Sequence, residues 1–173
     1  MNKHLTDNAI TFYEAADMSR EAKSFFAWQP SRSLIASIRA HQNASHAPIG
    51  IRTVIKAWAL LRHRFWSVIT GTDIPVSVSI GGGLLMPHTN GIVIHGNAKI
   101  GVNCLIFQQV TIGSVDGTIP PTIGSRVDIG AGAKIIGPVT IGDHAKIGAN
   151  AVVLTDVPAY ATAVGIPAKI ILA

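Results

Sequence analysis

The chain has 173 residues, of which 13% are charged, with a net charge of +5 and a mean hydropathy of +0.39. That length supports one sizeable core. So apolar a composition calls for repeated inward faces or a membrane, yet no stretch approaches the roughly 18 apolar residues of a spanning helix. Aromatics make up only 6%, and no basic run alternates with stacking side chains, which argues against a nucleic-acid binder.

Met1 to Thr6 lack the apolar core and small-residue cleavage site of a secretory signal, so a cytoplasmic location is expected. Cys104 stands alone, so no internal disulfide forms. From Ser19 to Gln42, Ala22, Phe25, Phe26, Leu34, Ile35 and Ile38 recur at helical spacing, with Pro30 as an interruption. A loop over 46–50 leads to a second predicted helix from about Ile51 to Ile69. It carries Ile55, Trp58, Ala59, Arg62, Phe65 and Trp66 near one face and stops at Gly71. A basic amphipathic helix of this kind fits peripheral contact with a membrane surface. Packing against the next domain or a neighbouring subunit is the preferred reading. These elements predict an α-helical N-terminal region over 1–72 and a second domain over 73–173.

From residue 74 an aliphatic residue recurs every sixth position. Ile74, Ile80, Met86 and Ile92 form one set, and a slip of two residues starts the next at Ile94, Ile100, Ile106 and Ile112. After a loop over 113–122 the third set runs through Ile123, Ile129, Ile135, Ile141, Ile147 and Val153. Gly follows directly at 81, 101, 113, 124, 130, 142 and 148. Val78, Val110, Val127, Ala133, Val139, Ala145 and Ala151 sit four positions on. Three such hexapeptides close a triangular coil. The aliphatic side chain points inward, and the fourth inward position admits only small or β-branched groups. Gly relieves a corner where a side chain would clash or positive φ is needed. The predicted fold is mainly β, a left-handed parallel β-helix of hexapeptide repeats behind a short α-helical N-terminal region.

Departures from the repeat mark candidate functional positions. One is the run from Met86 to Gly91, which carries His88 beside the phase slip. The other is the loop over 113–122. Asp73 lies fifteen residues before His88, close to one coil, so its carboxylate is placed to orient the imidazole. Imidazole takes a proton from a hydroxyl at neutral pH, and a carboxylate on its other nitrogen fixes the tautomer. Gly81-Gly82-Gly83 lacks the Lys-Ser or Lys-Thr of a phosphate loop. His95 is a candidate supporting group, His144 reads as an inert corner residue and Cys104 as core. No Cys/His cluster has metal-ligand spacing, so no metal is predicted.

The segment from Asp73 to the C-terminus resembles the serine acetyltransferase branch of the hexapeptide acyltransferases. The resemblance rests on Asp73-Ile74, on His88-Thr89-Asn90-Gly91-Ile92-Val93-Ile94 and on Gln109-Val110-Thr111-Ile112-Gly113. It continues through Ile129 to Ile135 and the ending Val164-Gly165-Ile166-Pro167-Ala168-Lys169. It implies an acetyl-CoA-dependent acyltransferase with His88 as general base and Asp73 as its partner. It further implies a homotrimer with clefts between subunits, and acetyl-CoA contacts from Gly113, Ala131, Lys146, Ala149 and Lys169. Two departures stand out. Pro87 occupies the place of the family's acidic residue before the histidine, and Thr118-Ile119-Pro120-Pro121 stands where the family has an Arg-His pair. An amino-acid acceptor needs partners for its two charges. With those charges missing, the expected acceptor is a sugar or polysaccharide hydroxyl, with serine as the alternative. A non-catalytic β-helix scaffold and a carbonic-anhydrase-like metalloenzyme on the same fold are the rival classes.

Overall fold

The computed structural model describes residues 15–24, 27–115, 117 and 119–172. The expectations for Met1 to Thr6, for Phe25 and Phe26, and for Thr118 in the loop lie outside the described residues. Two helices precede the strands, α1 over Pro30–Asn43 and α2 over Ile49–Thr70. Pro30 does not interrupt a helix. It occupies the first turn of α1, where its missing N–H costs no intrahelical bond, and the described residues before it form only a short 3-10 turn at Met18–Arg20. Gly71 ends α2 at φ 62°, the left-handed conformation that glycine adopts without a Cβ penalty. No described helix is long and apolar enough to cross a membrane.

Among the described residues thirteen short strands follow, in three sheets that are parallel except at the last pair. The first face holds β1 (Ser79–Ile80), β3 (Lys99–Ile100), β6 (Thr122–Ile123) and β9 (Thr140–Ile141). The second holds β4 (Leu105–Ile106), β7 (Asp128–Ile129), β10 (Lys146–Ile147), β12 (Thr162–Val164) and β13 (Lys169–Ile171). The third holds β2 (Val93–Ile94), β5 (Thr111–Gly113), β8 (Lys134–Ile136) and β11 (Val152–Val153). The chain visits these faces in rotation and forms a left-handed parallel β-helix.

Register explains both irregularities of the repeat. Regular coils pair residues 18 apart, as in Asp128 with Lys146 and Lys134 with Val152. The first coil pairs Ser79 with Lys99, a separation of 20 that absorbs the two-residue slip. The coil holding the loop pairs Leu105 with Asp128, a separation of 23. The insertion therefore leaves at one corner without disturbing the stack.

Every aliphatic residue of the three hexad sets is buried, as are Val78, Val110, Val127, Ala133, Val139, Ala145 and Ala151. Burying each Ile is worth about 1.5–3 kcal/mol. Except at Gly113, where a Cβ would meet only ordinary contacts at 3.7 Å, the glycines after them serve close approach and not left-handed backbone. A Cβ on Gly101 would lie 2.5 Å from the Gly124 carbonyl carbon, and one on Gly130 2.6 Å from the Ala149 nitrogen. Positive φ falls elsewhere, on corner residues such as Asn103, Gln109, Arg126, His144, Asn150 and Tyr160.

The helices share the β-helix core. Leu34, Ile35 and Ile38 of α1 join the buried cluster that runs up the coils. Arg39 clamps the contact. It pairs with Glu21 at 2.8 Å and donates to the carbonyls of Ile80 and Gly81, while Glu21 accepts from the Leu84 N–H at 3.1 Å. The Gly81-Gly82-Gly83 run serves this packing, because a Cβ on Gly82 would meet that of Ala16 at 2.5 Å. In α2 the buried positions are Ala59, His63 and Thr70, with Trp66 half-buried, whereas Trp58 and Phe65 are exposed. The face that packs is thus turned from the one expected, because α2 lies against α1 and directs His63 to the Ile74 carbonyl.

Two consequences can be measured. Arg39→Met leaves the Glu21 carboxylate without its partner in a mostly buried setting and should cost about 3 kcal/mol in chemical denaturation. Burial pushes the Cys104 thiol up to about 11. The native protein should therefore show no rapid reaction with a thiol reagent at pH 8, and one reactive thiol per chain once unfolded.

Candidate active site

His88 lies in the turn between Leu85, which bridges to Leu105, and β2. The turn is pinned to the end of α2 by a hydrogen bond from the Gly91 N–H to the Gly71 carbonyl, 2.7 Å. The residue is exposed and lines an open cavity of about 660 Å³. The other walls are Pro30 and Ser31 from the first turn of α1, Val68 to Gly71 from the end of α2, Pro87, Thr89 and Asn90 from the same turn, and Gln108 from the next coil. None of these side chains is a carboxylate, lysine or arginine.

Asp73 sits at the start of the third face, bridged to Val93, with its N–H on the Ile92 carbonyl at 2.9 Å. Its side chain is exposed, lies outside the cavity lining and makes no hydrogen bond with His88. His63 is buried on α2 and contacts the Ile74 carbonyl at 2.8 Å through Nε2, which ties the helix to the backbone next to Asp73.

Backbone bonds stack the corner below His88. Gln109 N–H donates to the Asn90 carbonyl, Gly132 N–H to the Gln108 carbonyl and Asn150 N–H to the Ala131 carbonyl, each at 2.8 Å. Asn90, Gln108, Ala131 and Ala149 thus form one ladder, with successive rungs about 4.8 Å apart. The small residues Ala131 and Ala149 continue the line of the cavity along the outside of the helix. Gly113 ends β5 at the loop corner, and its carbonyl accepts from Gly137. Lys146 is exposed on the second face and lines a separate depression with Arg20, Asn103, Arg126, Asp128, His144 and Tyr160. Lys169 begins β13, the antiparallel partner of β12, and is exposed. The structure therefore brings His88, Ala131 and Ala149 to one corner, and leaves Gly113, Lys146 and Lys169 apart from it.

Other histidines have local roles. The His95 ring accepts the Asn97 N–H at 3.2 Å within its own turn, and His144 stacks on Tyr160 with ring centroids 4.7 Å apart. Sequence reasoning missed the contribution of the helices and of Gln108. The signal for Gln108 was present, since it holds a rung that two later coils fill with alanine. Among the described residues, the buried side-chain polar atoms without a partner are Gln29 Oε1, Ser67 Oγ and Gln108 Oε1. Gln108 lines the cavity, whereas Gln29 and Ser67 do not. A buried unpaired acceptor costs about 1–3 kcal/mol, so the Gln108 oxygen in the cavity wall is a place where a polar partner would be gained.

Similarity to known proteins agrees with this geometry. The profile of the "Bacterial transferase hexapeptide (six repeats)" family matches residues 120–155. A serine acetyltransferase from Mycobacterium tuberculosis is 42% identical over 125 residues, which span 70% of this chain and 53% of that protein. A serine acetyltransferase from Helicobacter pylori is 42% identical over 128 residues, covering 66% of this chain and 75% of that one. The chain belongs to the serine acetyltransferase branch of the hexapeptide acyltransferases. Relatives of solved structure include soybean serine acetyltransferase complexed with serine (TM-score 0.69, 37% identity, 82% of this chain and 57% of that one). Another is a serine acetyltransferase in complex with CoA (TM-score 0.67, 38% identity, 83% and 58%). The chain spans about half the length of the first of these relatives and three quarters of the second.

These findings overturn the expectation of a sugar or polysaccharide acceptor. It rested on two positions, Pro87 and the loop stretch over 118–121. The relatives that are 42% identical to this chain over 125 and 128 residues are serine acetyltransferases. Missing charges at two positions do not make a site neutral, because polar groups elsewhere in the wall can meet the same ligand charges.

His88 is exposed and makes no hydrogen bond, so His88→Ala should shift the unfolding free energy by less than about 0.5 kcal/mol. A thermal or denaturant melt checks this, and an unchanged melt lets any loss of activity be read as chemistry.

Proposed function

We propose that the protein transfers the acetyl group of acetyl-CoA to the hydroxyl of serine, with His88 as general base. The observation that carries this reading is His88 in the cavity wall, on the turn hydrogen-bonded to the end of α2, in a chain 42% identical to serine acetyltransferases. The imidazole removes the hydroxyl proton as the oxygen attacks the thioester carbonyl. The carbon–oxygen bond forms, the tetrahedral oxyanion collapses, the carbon–sulfur bond breaks, and the imidazolium returns its proton to the leaving thiolate. Backbone N–H groups near the corner are suited to hold the oxyanion. Asp73, the partner that the family resemblance implies for His88, is the proposed positioning residue for the ring.

The pantetheine arm of acetyl-CoA is assigned to the corner marked by Ala131 and Ala149, where small side chains leave backbone groups accessible. Gly113, Lys146 and Lys169 retain their proposed cofactor contacts only through residues beyond this corner, for Lys146 and Lys169 through charge on the cofactor phosphates. A homotrimer is the proposed assembly. Exposed Ile119 and Val115 on the loop support it, since a projecting loop with apolar residues gains by packing on a neighbour. The division into a helical region over 1–72 and a β-helix over 73–173 is proposed on topology, with the two sharing one core. Acetyl-CoA as co-substrate favours a cytoplasmic location.

A free-thiol assay of acetyl-CoA consumption should show turnover that depends on L-serine. His88→Ala should lower kcat by about 10² to 10⁴, and Asp73→Asn by a smaller factor. An unchanged rate in His88→Ala would remove the general-base assignment, and no turnover with serine in the native protein would remove the acceptor.

A further inference from the structure

The cavity beside His88 poses a problem for a zwitterionic acceptor. The ammonium of serine needs a hydrogen-bond acceptor, yet the lining holds no carboxylate, and Pro87 stands directly before the histidine. The wall offers neutral acceptors instead, on Ser31, Thr70, Thr89, Asn90 and Gln108, and of these only the Gln108 side chain carries a buried oxygen without a partner. We infer that the Gln108 carboxamide receives the ammonium group of the amino-acid acceptor and so sets its orientation toward His88. The inference rests on the serine reading above.

Three observations converge on Gln108. It lines the cavity that His88 lines. Its Oε1 is buried and has no hydrogen-bond partner, whereas an amide oxygen in a settled wall is normally paired. Its backbone is held on both sides: its carbonyl accepts from Gly132, and its neighbour Gln109 takes the left-handed conformation at φ 61° with its N–H on Asn90. The side chain therefore springs from a rigid corner one rung below Asn90, and only its own torsions remain free. The terminal torsion of glutamine is broad, so a turn of the carboxamide carries Oε1 from its unpaired position to the cavity. An amide oxygen is an acceptor with two lone pairs and cannot repel a cation as a lysine or arginine would. In the later coils the same rung is Ala131 and Ala149, so the repeat itself does not call for a long polar side chain here.

The test compares L-serine with 3-hydroxypropanoate, which keeps the hydroxyl and carboxylate and lacks the amino group. The variants are Gln108→Leu and Gln108→Glu in the full chain, with acetyl-CoA varied separately. Loss of a hydrogen bond to a charged group should raise the serine KM of Gln108→Leu about 10- to 100-fold. The KM for acetyl-CoA and the inhibition constant or KM for 3-hydroxypropanoate should stay within twofold. Gln108→Glu, nearly isosteric, should hold serine as tightly as the native protein or more so and weaken 3-hydroxypropanoate. Equal effects on both acceptors, or an unchanged serine KM in Gln108→Leu, would sink the assignment while leaving serine acetylation intact. If Gln108→Leu does not fold, a raised serine KM in folded Gln108→Glu overturns it. Absence of serine turnover in the native protein would bring down the parent reading instead, and this one with it.

Discussion

Successive coils of this protein approach so closely that at several corners, where a glycine follows the inward aliphatic residue, there is no room for a Cβ. At Gly101 and Gly130 a methyl carbon would fall 2.5–2.6 Å from backbone atoms of the next coil. That spacing is set by the interstrand hydrogen bond, and it brings the inward isoleucines into one continuous stack. The interior is consequently narrow, which is why alanine, valine and Cys104 alternate with the isoleucines. The rest of the architecture adapts to this column. Insertions are tolerated at corners, where a coil can lengthen from 18 to 23 residues without moving the registers above it.

The cavity forms where the column begins. The first coil has no coil beneath it, and the helices cover that end. Leu34, Ile35 and Ile38 extend the core, and the Arg39–Glu21 pair fastens α1 to the carbonyls and N–H groups around the glycine run. The end of α2 then meets the turn that carries His88, joined through Gly71 and Gly91. The turn that carries His88 is thus backed by elements from different parts of the chain. Small residues, Ala131 and Ala149, continue the same corner along the helix.

The polar character of this cavity differs from what a pair of charged substituents would suggest. Its wall carries no acid or base except His88, yet it includes a residue with a buried, unpaired oxygen, Gln108. Neutral carboxamides and hydroxyls can bind a charged ligand when they are held in place, because the penalty of their burial is already met in the folded protein. Such a site selects by geometry as much as by charge. It reconciles Pro87 with membership in a branch whose solved members include one complexed with serine.

The sequence by itself determined the β-helix, its three hexad sets, the corner at which the chain slips by two, and His88 as the residue to examine. These were legible because period six is enforced by local geometry, so every coil repeats the same steric demand. It also carried the family resemblance, since the motifs around His88 and Gly113 are contiguous. Only the tertiary structure decided that the glycines answer a close approach and not a positive φ, because the clashing atoms lie a full coil away in sequence. The same holds for the side of α2 that packs, for the helices as walls of the cavity, for the separation of Lys146 from the His88 corner, and for the unpaired oxygen of Gln108. Each depends on which distant residues meet in space, and no local pattern encodes that.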